Sequence, residues 1–463
     1  MSEAASRAMA GSTGLAAVRP ALAEALRKMR AQFDAVPARR QRKLHQMKMA
    51  LAAELSAGDA ARVLAALFAD FGVAEWVTRP LRGLRDYAMS QGLPCMERTA
   101  AGVMTVAMPE LVGRPPAAPV EVPMRALFHA QLRDAVVSSR SSLIAVPGAL
   151  LFDFQDGELE AIPIDWRHDP QVIGVDRDGG CLQATIVRLG SAPQELPEAI
   201  NLVGLMSVAF GHWVGEFLPK LLSLQQAGVP ESVPVLIDGL MPPSHREAVE
   251  TLCRGRRPIV ELSPSCSVRV GRLWVASCLT YAPSFPLLPP GAAIPIAHLC
   301  PHGPSLRSVA AAVPILHRGG PPSRRLFLAR RAARHRQLIN DAEVQALCGS
   351  YGFRSVYLED LPFAEQLALV QSASHVVGPA GSAIWFAFFY GFEGMFSLTL
   401  HPENLDETPS LTAIGLARGQ RTAVLLGRNG GRPQAIRGNS DFSVELDQIK
   451  AVLESWGLER ERV

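Results

Sequence analysis

The segment GHWVGEFLPKLLSL, Gly211 to Leu224, puts an imidazole and a carboxylate four residues apart inside an otherwise apolar run. On a helix that spacing places His212 and Glu216 on one face, within reach of each other. An imidazole held by a carboxylate, or a carboxylate oriented by an imidazole, makes a general base. The competing reading is a buried ion pair that orients two parts of the fold. Pro219 either kinks the helix or marks the first turn of a later one, which leaves the pair at an element end.

Two further stretches are built to meet an anion. LARRAARHRQLIND, Leu328 to Asp341, carries Arg330, Arg331, Arg334 and Arg336 directly after a strand pattern. Guanidinium groups grip phosphate in a planar, bidentate way, whereas an exposed basic loop is the plain alternative. VVGPAGSAIW, Val376 to Trp385, reads as a strand, a glycine turn and a helix. The N–H groups and dipole at that helix start attract negative charge, and Gly378 and Gly381 allow close backbone approach. Glycines at such a turn also serve the turn alone.

These residues need elements that bring them to one edge. RRLFLAR, FRSVYLE, HVVGP, GMFSLTL and RTAVLLG alternate with helical patterns of about ten residues, which predicts parallel βαβ units in a Rossmann-like domain over 301–463. Its ligand belongs at the carboxyl ends of the strands. A Pro-rich connector, YAPSFPLLPPGAAIPIAHLCPHGPS, precedes it and reads as a linker. Residues 119–300 mix short extended runs with helices, and residues 1–118 read as a helical N-terminal region from three- and four-residue apolar spacing. Arg39, Arg40, Arg42, Lys43 and Lys48 cluster there and read as a solvated helix face rather than a site for an acidic partner or anionic membrane.

Composition narrows the class. A chain of 463 residues holds two or three domains, and 48% hydrophobic with 19% charged residues is globular. A net charge of +3 is too mild to imply nucleic acid. No run approaches the roughly 18 apolar residues of a membrane span, so the expected location is cytoplasmic. Seven scattered cysteines read as reduced thiols. His298, Cys300 and His302 match no zinc spacing, and DRDGG, Asp176 to Gly180, reads as a hairpin turn. His375 reads as a packing residue, and SAIWFAFFYGF as a buried helix.

The order of these segments resembles the family 61 glycosyltransferases, related to capsular-polysaccharide enzymes. That family's H-W-x-x-E/D-x-L-P pattern falls on His212, Trp213, Glu216 and Pro219, and its paired arginines with N-E/D on Arg330, Arg336, Asn340 and Asp341. Its E-x-L-x-x-x-E-Q pattern falls on Glu359, Leu361, Glu365 and Gln366, and its glycine turn on Gly378, Gly381 and Ser382. Ala380 and Phe386 depart from it, standing where many members have His or Ser and Asn. The likeness runs from about Pro119 to Gly427.

The resemblance implies an α/β fold with a GT-B-like pair of Rossmann-like domains and an inverting, metal-independent transfer. The donor is a nucleotide-diphosphate sugar, UDP-linked by expectation, and no other cofactor is required. The acceptor is a hydroxyl of a glycan or glycolipid in bacterial-type polysaccharide biosynthesis, reached with peripheral contact at the inner face of the membrane. Glu216 and His212 are then catalytic. Arg330, Arg336, Asn340, Glu365, Gln366, Gly378, Gly381 and Ser382 bind the donor. Two other classes stay open: a non-catalytic relative that binds a glycan or nucleotide, and a binder of an acidic polymer or RNA through the arginine clusters.

Overall fold

The computed structural model describes residues 18–35, 40–68, 75–161, 166, 169–188, 194–264, 266–281, 302–331, 335–403, 408–431 and 439–461. Arg39, His298, Cys300 and Arg334, the side chains of Arg40 and Arg42, and residues 282–301 of the connector lie outside this set.

Two sheets dominate, as expected for a mixed α/β chain. Four neighbouring strands of an eleven-stranded sheet are parallel: β1 (Gln194–Asn201), β2 (Val235–Asp238), β3 (Ile259–Leu262) and β4 (Ser267–Ala276) in the order β3-β2-β1-β4. That is a doubly wound order with a switch point between β1 and β4. The β2 sequence VLID is buried at every position, as a strand covered on both faces must be. Beyond β4 the sheet continues antiparallel through Leu127–Ser138 and ends at a hairpin, Val172–Asp178 with Cys181–Arg188. DRDGG is its turn: Gly179 and Gly180 have φ of 55° and 84°, the left-handed pair that a two-residue hairpin needs.

The second sheet contains β5 (Arg324–Leu328), β6 (Arg354–Val356), β7 (Ala373–Pro379), β8 (Phe396–Pro402) and β9 (Arg421–Gly430), all parallel, in the order β6-β5-β7-β8-β9. Its switch point lies between β5 and β7. Two short strands pair with β9. Glu110–Leu111 joins at Ala423 and Val424, and Asp441–Ser443 at Arg428 to Gly430.

The helical reading of residues 1–118 needs correction. Helices Pro20–Ala35, Arg40–Ala52 and Ala57–Leu67 pack around Leu26, Leu44, Met47 and Leu64 and rest on Val187 of the hairpin. Glu75–Gly83 is already a strand of the first sheet, because Trp76, Val77 and Thr78 favour extended backbone and Pro80 has no N–H for a helix. Lys48 is no part of a solvated face either. It is 1% exposed and donates to the Asp169 carbonyl, while the Asp169 carboxylate takes the Ser141 hydroxyl and the Ser142 and Gln171 N–H groups.

One helical run, α1 (210–226), follows β1, and α4 (Ser382–Tyr390) follows β7, with α2 (Pro243–Leu252) and α3 (Phe363–Gln371) between them in sequence. α1 and α4 meet through two glycines spaced four apart. A Cβ on Gly211 would lie 3.2 Å from Ser382 Oγ, and one on Gly215 would lie 2.8 Å from the Phe389 ring. Around this crossing a single apolar cluster joins Ile200 and Val235 of the first sheet, Trp213 and Leu221 of α1, Leu326 and Val376 of the second sheet, and Phe386 and Phe389 of α4. Among the described residues no helix is long and apolar enough to cross a membrane.

Because Phe389 is itself locked in that cluster, Gly215→Ala is expected to destabilise the fold by about 1–3 kcal/mol, the usual cost of overpacking. Chemical denaturation measures it. An unchanged midpoint would show that the two helices can move apart.

Candidate active site

Both switch points open toward the crossing of α1 and α4. α1 begins as an α-turn, Phe210–His212, widens to a π-turn over Trp213–Phe217, and resumes as α-helix over Leu218–Gln226. The Leu218 N–H reaches the Trp213 carbonyl five residues back, and Pro219, next in line, has no N–H to give. The proline thus neither ends the run nor simply bends it. It sits one turn beyond the carboxylate and withholds the N–H that would close a regular α-turn onto the Gly215 carbonyl.

Within that turn His212 Nδ1 lies 2.9 Å from Glu216 Oε1. An ionised carboxylate only accepts, so in that pairing Nδ1 carries the hydrogen and Nε2 faces away from the carboxylate. The Glu216 side chain is 6% exposed and that of His212 17%, with the His212 ring edge-on to Trp385 at 6.2 Å. The loop before α1 is held from below. Asp238, at the carboxyl end of β2, accepts from Gly204 N–H (3.2 Å), Ser207 Oγ (2.6 Å), Ser139 Oγ (3.1 Å) and Arg140 N–H (2.7 Å).

On the first-sheet side Glu216 lines a narrow cleft of about 50 Å³ between the ends of β1 and β4, with Ser142, Asn201, Asp153, Lys220, Cys278 and Tyr281. Lys220 follows Glu216 by one turn and is ion-paired with Asp153. Burial works against the ammonium charge, but the Asp153 carboxylate outweighs it and holds Lys220 protonated. Cys278 Sγ lies 3.2 Å from Asp153 Oδ2, and burial beside Asp153 raises its thiol well above the usual range.

On the second-sheet side Arg330 leaves the end of β5 and lies over Gly381. A Cβ there would be 3.3 Å from the guanidinium carbon. Gly381 has an ordinary extended φ of 168°, so contact rather than conformation calls for glycine. Gly378 is fixed by packing as well, since a Cβ would meet the Leu328 carbonyl at 2.8 Å. Arg330 Nη1 donates to the Ala380 carbonyl at 3.0 Å. Position 380 therefore acts through its backbone.

Arg336 holds a left-handed φ of 57°, with its N–H on the Asn439 carbonyl. Its Nε is buried without a partner, and among the described residues no carboxylate is ion-paired with it. Burial first, then the Arg330 charge, pushes its pKa down to about 10. It shares a small cleft with Arg330, Arg331, Gln337, Asp341 and Pro379. Behind it on β8, burial and the Arg336 charge push fully buried His401 down to about 3, so that ring stays neutral. Arg331 is ion-paired with Asp360, and its N–H meets Glu359 Oε1 at 3.2 Å. The arginine run is therefore no free basic patch where it is described.

The structure brings His212, Glu216, Arg330, Arg336, Gly381 and Ser382 around one crossing: Gly211 abuts Ser382, and Gly381 lies beneath Arg330. Gly378 supports it from the strand. Asn340 is occupied elsewhere, its amide oxygen and nitrogen both bonded to the Val444 backbone. Gln366 donates to the Leu361 carbonyl, and Glu365 is exposed in the first turn of α3. No described hydrogen bond ties either to the arginines. Sequence reading passed over Asp153, Lys220 and His401. Only Lys220 left a signal, at the same four-residue spacing from Glu216 that Glu216 has from His212.

Among the described residues no three His, Cys, Asp or Glu side chains group as a metal site, and His302 caps the helix Gly303–Ala311. His375 stacks on Phe396 at 4.9 Å, as a packing residue does.

Compared with known proteins, residues 210–395 match the model of the family Glycosyltransferase 61. The match opens at the first residue of α1 and spans His212, Glu216, Arg330, Arg336, Gly381 and Ser382, whereas Asp153 and His401 lie outside it. No curated protein matches the chain.

The charge of Arg336, which has no ion-pair partner among the described residues, has a measurable consequence. Inorganic pyrophosphate is expected to stabilise the wild-type protein by about 2.7 kcal/mol at a hundredfold excess over Kd, seen as a raised melting temperature, and to leave Arg336→Met unmoved. Without ligand, that variant should melt no earlier than wild type, since it loses a largely desolvated charge with no ion-pair partner among the described residues. Thermal shifts with and without pyrophosphate check both statements.

Proposed function

We propose that this protein is an inverting glycosyltransferase that moves a sugar from a nucleotide-diphosphate donor to a hydroxyl of a glycan or glycolipid. The observation that carries the reading is the meeting of two unlike groups across one helix crossing. A half-buried imidazole on a buried carboxylate stands at the switch point of the first sheet, and a half-buried arginine pair beside a helix N-terminus stands at that of the second. The glycosyltransferase match over residues 210–395 supports it.

In this reading the two sheets act as a GT-B-like pair. The diphosphate lies against Arg330, Arg336 and the start of α4, with UDP as the first nucleotide to test. The acceptor hydroxyl enters the cleft beside Glu216. Glu216, oriented by His212, takes the hydroxyl proton as the oxygen attacks the anomeric carbon from the face opposite the diphosphate. The bond from that carbon to the phosphate oxygen breaks, the anomeric centre inverts, and the leaving charge develops against preorganised cations. Arginine charge fills the role that a metal ion plays elsewhere.

The two departures from the family pattern leave this machinery in place. Phe386 is buried against Phe210, Phe363 and Tyr390, where it packs α4. Ala380 offers its carbonyl to Arg330 whatever its side chain.

Calorimetry with UDP, GDP, CMP and ADP is expected to find one preferred nucleotide, lost in Arg336→Ala. With the matching nucleotide sugar, Glu216→Gln should keep that affinity and lower nucleotide release by about 10²–10⁴-fold. Equal turnover in Glu216→Gln would remove Glu216 from the chemistry. Absence of binding by all four nucleotides would favour a non-catalytic relative.

A further inference from the structure

Glu216 sits in a stretch of backbone that cannot satisfy itself. A regular α-helix would send the N–H of residue 219 to the Gly215 carbonyl, and a π-turn would send it to Val214. Pro219 supplies neither, and a buried carbonyl left unpaired costs about 1–3 kcal/mol. Both carbonyls are instead taken by hydroxyls from outside the helix. Tyr390 Oη donates to Val214 O at 2.9 Å, and Thr280 Oγ1 donates to Gly215 O at 2.6 Å. Tyr390 and Thr280 are themselves buried, and burial raises the Tyr390 phenol, which keeps it a donor.

The two donors come from opposite sides. Thr280 follows β4 of the first sheet, whereas Tyr390 is the last residue of α4. The other end of α4, about 12 Å away at 1.5 Å per residue, is Ser382 beside Gly381 and Arg330. The Tyr390 ring is braced along α4 by Phe386 at 5.0 Å. A displacement of α4 along its axis therefore pulls on the residue two before Glu216.

We infer that Tyr390 and Thr280 are positioning residues for Glu216, and that Tyr390 links occupancy of the anion site at the start of α4 to the turn that carries the carboxylate. The second half rests on the reading of that site as the diphosphate site.

Hydrogen exchange on the full chain, with and without UDP, tests this alongside calorimetry. In wild type, UDP slows exchange in peptides covering 210–220. Tyr390→Phe keeps the ring, binds UDP within about twofold of wild type, exchanges about tenfold faster over 210–220 without ligand, and loses the UDP response there. Thr280→Val also exchanges faster but keeps the response. UDP bound by wild type with no change over 210–220 overturns the link while leaving the diphosphate reading intact, and so does a response that survives in Tyr390→Phe. Where calorimetry selects another of the four nucleotides, that nucleotide replaces UDP in the exchange experiment, and failure of all four to bind overturns the diphosphate reading and the link together. Should Tyr390→Phe not fold, Pro219→Ala tests the same bond, since its new N–H competes for the two carbonyls. It is expected to weaken the UDP response, and an undiminished response counts against the link.

Discussion

Everything near the candidate site depends on how closely α1 can lie against α4. Two glycines four residues apart set that distance, and neither is there for backbone freedom. Each marks a place where the neighbouring helix occupies the space of a methyl group. The same closeness that brings Phe389 onto Gly215 brings Ser382 beside the residue that precedes His212. A bulkier seam would separate the carboxylate from the arginines before it changed either group chemically. Packing here is a geometric precondition for chemistry, at the scale of one ångström, where catalytic effects are steep.

The electrostatics are arranged unequally on the two sides of the seam. On the first sheet, charges come in balanced form: Lys220 with Asp153, and Asp238 among four donors. On the second, half-buried Arg336 lies against another guanidinium and a neutral His401, with no ion-paired carboxylate among the described residues. A balanced set holds shape, whereas an unbalanced one holds free energy in reserve for an incoming anion. That contrast separates a scaffold from a binding site more sharply than residue identity does.

Much of this was legible in the sequence where a pattern is local. Alternation of strands and helices gave the second sheet, the i, i+4 spacing gave the His212–Glu216 pair, and DRDGG gave its hairpin. What was not legible depends on contacts between distant segments. Lys48 reads as one of several basic helix residues until Asp169 appears beside it. Asn340 sits in a matching motif, yet its amide is spent on Val444. The π-turn is written locally, in Pro219, but only Thr280 and Tyr390 explain why the fold tolerates it. The strand at Glu75–Gly83 was hidden by the helical spacing of its neighbours, although Pro80 already spoke against a helix.

The small strand Glu110–Leu111 on β9 bears on how the chain is made. Residues synthesised early form part of the edge of a sheet whose other strands are made much later, so that position stays unfilled until β9 has been synthesised. Until β9 arrives, the segment around residue 110 must wait unpaired, and the second sheet, cut out by itself, would keep an open stretch of edge at Ala423 and Val424. The two halves are thus sewn together by topology as well as by their shared core. A gene fragment encoding either sheet alone would describe a different folding problem.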